Sequence, residues 1–299
     1  MGGFKIYFSE DTILPYLALI TMALLFGLSF VASKYALNFL SPFTLIFLRF
    51  FIAFLLLGVL YLRQRQKINP SDRLRLLLTS LIFPGLYFLS ETYGLKYAPA
   101  TTVSLVVSTI PIFTAVLAFF LLNEKLRIWQ SSGIILSIIG VAMILISGSE
   151  RGTEWNLMRW GNFLGLGAAI SAALYMTLGR SLLDRYSPLT ITTSQAMFAV
   201  LIFLPLAGWE QFYNPIRAID GFTVLAVLYL ALFCSVLAFF LWNYGISKLE
   251  AGRAAVFTNL VPVFTAFGAN MILGERPEWG QIIGGVLVIT GVMITNTGK

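Results

Sequence analysis

Long apolar stretches alternate with short polar segments along the whole chain. Eight of the stretches carry no charge: Thr12 to Ser33, Tyr97 to Asn123, Ile128 to Ser149, Trp160 to Gly179, Tyr186 to Trp209, Gly221 to Ser247, Ala254 to Gly274 and Trp279 to Gly298. Two more carry one charge each, Pro42 to Leu62 around Arg49 and Leu76 to Tyr93 with Glu91 near its end. A helix needs about 20 apolar residues to cross a hydrocarbon core roughly 30 Å thick, so the pattern predicts ten spans. Helices are expected because lipid offers no partner to a free backbone N–H or C=O, and the runs lack the alternation of a membrane barrel. The first span is too long, and too weakly preceded by positive charge, to read as a cleaved signal peptide. The fold class predicted is an all-α integral membrane protein.

The pattern also repeats. Sliding the chain by 151 residues aligns Tyr93 to Met143 with Tyr244 to Ile294 without a gap, and 16 of the 51 pairs are identical. Among them are Tyr93-Gly94 with Tyr244-Gly245, Pro111 with Pro262, Phe113-Thr114-Ala115 with Phe264-Thr265-Ala266, Glu124 with Glu275, Gly133 with Gly284 and Gly140 with Gly291. Earlier in each half the shift is 146 residues, which matches Lys34 with Arg180, Ser41-Pro42 with Ser187-Pro188 and Thr44 with Thr190. Two units result, 12–149 and 160–298. Each holds five spans, an odd number, so the second unit must enter the membrane from the opposite side to the first. Inverted repeats of this kind place a substrate at the repeat interface, near the midplane, in many secondary transporters.

Composition agrees with a bilayer as solvent: 58% of the 299 residues are hydrophobic, 11% are charged and mean hydropathy is +0.86. A water-soluble globule or a disordered chain is excluded by that balance. Histidine is absent, which removes the Ser-His-Asp triad, the HExxH zinc site, haem ligation by His and any imidazole proton relay. No cofactor or metal is expected. Cys234 stands alone and allows no internal disulfide. With a cytoplasmic N-terminus, thirteen basic residues fall inside, among them Arg63, Arg65, Lys67, Arg73 and Arg75, and six outside: Lys34, Lys96, Arg151, Arg159, Arg217 and Arg276. The positive-inside bias therefore predicts a multi-pass protein of the inner (plasma) membrane with both termini cytoplasmic. The same bias accounts for the net charge of +7, and no basic stripe interleaved with aromatics points to nucleic acid.

Three segments carry a family likeness: SPFTLIFLRF from Ser41, YGLKYAPATTVSLVVSTIPIFTAVLAFFLLNEKL from Tyr93, and its partner YGISKLEAGRAAVFTNLVPVFTAFGANMILGERPEWGQIIGGVLVITGVMI from Tyr244. With ten spans and the duplication, the chain resembles the EamA family of the drug/metabolite transporter superfamily over nearly its whole length. The resemblance implies a ten-helix fold with inverted five-helix halves and, for many members, export of amino acids and other small metabolites from bacteria. It does not name a substrate.

Several residues stand out as carriers of function. Arg49, inside an otherwise uncharged span, could hold a substrate carboxylate in a bidentate pair, or it could tie its helix to a neighbouring carbonyl. Glu91 could couple proton entry to substrate exit, or it could be an interfacial carboxylate near a helix end. The repeat sets Gln195 opposite Arg49 and Trp242 opposite Glu91. Tyr87, Ser90, Tyr93, Trp242, Asn243 and Tyr244 together could line an aromatic and amide pocket at the repeat interface, although Trp and Tyr also populate headgroup belts. Pro111 and Pro262 are expected mid-span, each bending its helix by removing one hydrogen bond. Asn259, matched with Ser108, offers a small polar group beside the bend. Gly133 with Gly140, and Gly284 with Gly291, are each seven residues apart and predict close helix contact, within the chain or in a homodimer. Glu124-Lys125 and Glu275-Arg276 read as interfacial turns.

The functional expectation is a secondary transporter that exports small metabolites, amino acids first among them, by alternating access. Its partners would be a small-molecule substrate and the lipid bilayer. The alternative is a drug or organic-cation extruder in which Glu91 and aromatics hold a cation. No G-x-x-x-x-G-K-[ST] motif is present, so the energy must come from a substrate or ion gradient. An intramembrane enzyme would need a pair of buried carboxylates or a His that the chain lacks. A channel would need a charged ring or a carbonyl filter that is not visible.

Overall fold

The computed structural model describes residues 10–64, 66–122, 128–146, 153–216, 218–249, 254 and 257–297. Lys5, Arg65, Glu124, Lys125, Arg127, Arg151, Arg217, Arg253 and Lys299 lie outside them. Every element among the described residues is helical: α1 (Glu10–Ala36), α2 (Pro42–Gln64), α3 (Pro70–Ser80), α4 (Tyr87–Tyr97), α5 (Ala100–Val107), α6 (Ile110–Leu122), α7 (Ile128–Ile146), α8 (Thr153–Leu183), α9 (Pro188–Tyr213), α10 (Gly221–Tyr229), α11 (Phe239–Lys248), α12 (Val261–Leu273) and α13 (Trp279–Thr297). A π-helical segment, Leu81–Leu86, joins α3 to α4, and another, Leu230–Ala238, joins α10 to α11. Among the described residues, seven stretches are long and apolar enough to cross a bilayer: 13–36, 42–64, 70–97, 100–117, 156–179, 188–213 and 221–248. Ser131–Ile144, Phe257–Leu273 and Trp279–Ile294 are shorter apolar helices.

Local sequence explains the starts and the breaks. Asn69 caps α3 by accepting from Ser71 N at 3.2 Å, Ser187 caps α9 by accepting from Thr190 N at 3.2 Å, and a proline follows each cap. Proline is at home there because the first helical N–H groups have no intrahelical partner. Asp220 caps α10, accepting from Thr223 N at 2.8 Å and from the Tyr35 hydroxyl at 2.7 Å. These bonds hold its carboxyl below the ordinary aspartate range. Phe83, just before Pro84, takes an extended conformation (φ −141°, ψ 110°) inside the first π segment. The residue preceding a proline is pushed out of the helical region, and the helical path through 70–97 bends there. Gly274 ends α12 with φ +69°, a left-handed position that glycine occupies without strain.

Pro111 and Pro262 do not sit in mid-helix. Pro111 is the second residue of α6, and α5 has already ended at Val107; Pro262 is the second residue of α12, after the 3-10 turn Phe257–Leu260. Each proline therefore follows a break in the helix and removes no bond from an intact one. The polar residues expected beside a bend, Ser108 and Asn259, lie in the breaks themselves.

The helices pack in matching pairs. The most extensive contacts join α7 to α13, α2 to α9, α4 to α8 and α1 to α12. The α7–α13 pair is antiparallel and tight: Gly140 lies against the Gly284 carbonyl and Gly291 against the Gly133 carbonyl, while Ser137 Oγ donates to Val288 O at 3.2 Å. The contact predicted from the glycine spacing is thus made within the chain. The α2–α9 pair is antiparallel too. Glu210, near the end of α9, accepts from Thr44 N at 2.9 Å and Thr44 Oγ1 at 3.1 Å at the start of α2. At the other end Gln66, just past α2, accepts from Ser187 N at 2.9 Å and Thr190 Oγ1 at 2.7 Å at the start of α9. Large apolar side chains such as Leu14, Leu17, Leu55, Leu201, Leu225 and Val286 remain exposed on the outside. Such a surface is what lipid requires.

Candidate functional site

At the centre of the bundle, aromatic side chains from both units close around a small cavity. Phe26 and Phe30 of α1, Phe83, Tyr87 at the start of α4 and Trp242 of α11 supply most of the wall, with Ser108 and Thr258 from the two helix breaks as polar rim. Its volume is about 30 Å³, enough for a water molecule and too little for an amino acid. The rings support one another. Phe83 stacks on Phe239 with centroids 5.2 Å apart and on Tyr175 at 4.9 Å, and it lies 4.8 Å from Tyr87.

Two predicted residues bury polar atoms that have no partner among the described residues. Trp242, in the cavity wall, is 3% exposed and its Nε1–H has no acceptor; Asn259, which does not line the cavity, is 6% exposed and neither amide atom is paired. Buried polar groups are nearly always satisfied, so the Trp242 N–H is available to an occupant of the cavity.

Asn243 and Gln195 are committed elsewhere. Tyr175 donates to Asn243 Oδ1 at 2.7 Å; Asn243 Nδ2 donates to Thr192 Oγ1 at 2.9 Å and to Gln195 Oε1 at 3.1 Å; Gln195 Nε2 donates to the Phe83 carbonyl at 3.4 Å. That chain ties α8, α9 and α11 to the extended residue of the first π segment. Thr192, Tyr175 and Phe83 were not singled out from the sequence. Phe83 had a signal, the proline after it, whereas Tyr175 and Thr192 had none.

Arg49 and Glu91 stand outside the cavity lining. Each is 1% exposed. The Arg49 guanidinium lies 4.3 Å from the Phe88 ring centroid, and its Nε donates to Ser235 Oγ at 3.0 Å in the second π segment. Its Nη2 and Glu91 Oε2 have no hydrogen-bond partner among the described residues. The remaining predicted residues are dispersed. Tyr93 packs edge-on against Phe43 at 5.5 Å, near Lys96, Ser90 faces Gly167 of α8, and Tyr244 is half-buried away from the cavity wall. Tyr93 and Tyr244 fail to join it because each lies off the helix face that meets the cavity, six residues past Tyr87 and two past Trp242.

An open cleft of about 470 Å³ lies at the bundle end that carries Lys34, Lys96 and Arg276. Lys34 Nζ donates there to the carbonyls of Leu95 at 2.6 Å and Ala98 at 2.9 Å, closing the end of α4. Glu275, read above as an interfacial turn, caps the start of α5 by accepting from Ala100 N at 2.8 Å, Thr101 N at 3.0 Å and Thr101 Oγ1 at 2.9 Å. Glu275→Ala should lower stability by about 1–2 kcal/mol, the usual worth of a helix cap. Glu275→Gln, which keeps one acceptor, should lose less. Thermal unfolding in detergent measures both, and a melting temperature unmoved by Glu275→Ala would refute the capping role.

Comparison with known proteins matches this chain to the model of the EamA-like transporter family twice, over residues 13–146 and 159–297. The chain belongs to the EamA-like transporter family. An uncharacterized transporter of Bacillus subtilis (strain 168), YetK, is 33% identical over 287 residues, 94% of this chain and 86% of its own. A probable amino-acid metabolite efflux pump of Salmonella typhimurium (strain LT2) is 31% identical over 293 residues, 95% of this chain and 94% of its own. The protein of the same description from Escherichia coli (strain K12) is 29% identical over 97% of this chain and 95% of its own. One crystal structure, 19% identical, superposes with a TM-score of 0.67 over 94% of this chain and 95% of that one, a likeness of fold alone. This EamA-family protein is a multi-pass membrane transporter and not an enzyme.

Proposed function

We propose that this transporter exports small metabolites, most directly amino acids or related compounds, by alternating access about the central aromatic cavity. Its ten transmembrane helices form two inverted five-helix repeats in the inner (plasma) membrane, with both termini cytoplasmic. The antiparallel packing of repeat-equivalent helices, α2 on α9 and α7 on α13, supports the inversion. Swapping the two units turns the α1–α12 contact into α8–α6 and the α1–α11 contact into α8–α4, and all four are present. The distribution of basic residues supports the orientation, with Arg185, counted on the cytoplasmic side, beside Asp72 and Gln66 at one end and Lys34, Lys96 and Arg276 at the other. The two probable amino-acid metabolite efflux pumps among the relatives support the substrate class.

The observation that carries the reading is the unpaired Trp242 Nε1–H in the wall of a cavity shared by both units. Indole N–H donates and never accepts, so it suits a carboxylate. Phe26, Phe30, Phe83 and Tyr87 offer an apolar and aromatic surface to a side chain. In the arrangement described these rings meet around the 30 Å³ cavity, so admission of substrate requires the walls to part, as alternating access demands.

Counterflow of labelled amino acids in proteoliposomes tests this. Trp242→Phe keeps an aromatic ring and deletes the N–H. It should raise KM about tenfold, the cost of one hydrogen bond to a charged group, with little change in maximal rate. An unchanged KM would remove Trp242 from the site, and no amino-acid counterflow in the parent would sink the substrate class.

A further inference from the structure

Arg49 and Gln195 are repeat-equivalent, and the structure gives them equivalent tasks. Each reaches from the second span of its own unit to the π segment in the third span of the other: Arg49 Nε to Ser235 Oγ at 3.0 Å, Gln195 Nε2 to the Phe83 carbonyl at 3.4 Å. Ser235 is the counterpart of Pro84 under the 151-residue shift, and Cys234 of Phe83, so the two bonds are near counterparts as well. Both cross between units, and a rocking of one unit against the other must strain or break them.

The two cross-links differ in charge. Gln195 is neutral, and the residue matched to Glu91 in its unit is Trp242. Arg49 is charged and lies within electrostatic reach of a buried carboxylate that it does not meet: Glu91 Oε2 and Arg49 Nη2 are both unpartnered. Two opposite charges out of water attract far more strongly than at a surface, and leaving either one unpaired is costly. A proton on Glu91 removes that attraction, and the unpaired oxygen then costs only what a neutral polar group costs.

Resting on the alternating-access reading above, we infer that Glu91 is a proton-binding site of the transporter and that Arg49 is a switch between the units. With a proton on Glu91, the guanidinium stays on Ser235 of the second unit. When the proton leaves to water, the carboxylate draws the guanidinium into an ion pair inside the first unit and the link to Ser235 is released. The only bond made or broken is the carboxyl O–H, and the guanidinium keeps its charge throughout. Among the described residues, the groups whose charge interacts with Glu91 are Arg49 from α2, Tyr87 one turn earlier on α4 and Cys234 from the second π segment. Tyr87 also lines the central cavity, which places the switch one side chain from the substrate. Because one cross-link responds to protons and its counterpart does not, acid favours one access state, and a pH difference across the membrane can drive the cycle.

Spin labels at Asn38 and Asn214 test the switch. Both residues are exposed, face one cleft and belong to different units, and the labels are placed in a Cys234→Ala background. The distance distribution should shift between mildly acidic and mildly alkaline buffer. Glu91→Gln should hold the acidic distribution in both, Arg49→Gln should lose the response, and Glu91→Asp should restore it, which separates a lost proton site from a damaged fold. In proteoliposomes Glu91→Gln should lose at least about tenfold in accumulation driven by a pH gradient, while counterflow persists. A background protein whose distances ignore pH, or a Glu91→Gln protein that keeps the full shift, overturns the switch. Intact pH-dependent distances without any amino-acid flux would support the switch and overturn the substrate class instead.

Discussion

Gly140→Leu should leave no monodisperse folded protein, and even Gly140→Ala should cost about 1–3 kcal/mol, the ordinary penalty of overpacking a tight interior. A Cβ at Gly140 would stand 2.6 Å from the Gly284 carbonyl oxygen and 2.9 Å from Val288 N, and a Cβ at Gly284 would stand 2.7 Å from the Gly140 carbonyl oxygen. These neighbours are backbone atoms of a packed helix, so no rotamer change relieves the clash; α7 and α13 would have to separate. Between helices in lipid there is no hydrophobic driving force to compensate, because association rests on close packing. Gly208→Ala is the control. Nothing lies within 4 Å of its added methyl on the outer face of α9, and alanine gains about 0.5–1 kcal/mol of helix propensity. Thermal unfolding in detergent should therefore move in opposite directions for the two alanine variants. A Gly140→Leu protein as stable as the parent would refute the α7–α13 contact.

The α7–α13 contact was legible because the duplication carried it. Gly133, Gly140, Gly284 and Gly291 repeat at one spacing in both units, and glycine on one face of an apolar helix has few uses besides close approach. The same comparison set Gln195 against Arg49, which proved to be the key to the crossed bonds at the two π segments. Where the units diverge, the sequence was weaker. Pro111 and Pro262 marked the right places and suggested the wrong geometry, because a proline says that an N–H is missing without saying whether the helix has already broken. Arg49 was read as a buried charge and is one, and Glu91, left open between a buried and an interfacial carboxylate, is buried, yet a linear sequence could not say that neither of them lines the cavity. The aromatic wall was least legible. With 26 phenylalanines in the chain and nearly every span position apolar, periodicity does not separate Phe26 and Phe30, which face the cavity, from Phe120, which is 69% exposed.

Asn243→Leu should lower stability by about 1–3 kcal/mol and leave the KM of the surviving protein unchanged. The side chain is fully buried and all its bonds run to protein: it accepts from Tyr175 and donates to Thr192 and Gln195. Leucine fills the volume and takes a partner from the Tyr175 hydroxyl and from Gln195 Oε1, which lie close enough to pair with each other, at a total of about 1–3 kcal/mol. Thr192 is spared, since its hydroxyl still donates to Pro188 O at 2.8 Å. A pocket role for Asn243, which the sequence allowed, requires the opposite signature, a raised KM with ordinary stability. Pairing Asn243→Leu with Tyr175→Phe separates the two readings further. Removing both ends of a buried hydrogen bond is far less costly than removing one, so the double variant should recover part of the loss, a coupling of about 1 kcal/mol or more in a double-mutant cycle. Additive losses would mean that the Tyr175 to Asn243 bond contributes nothing. Recovery of stability with unaltered KM would place the amide in the frame that holds Phe83 at the cavity wall: Gln195, oriented by Asn243, donates to the Phe83 carbonyl, and the Phe83 ring is one face of the cavity.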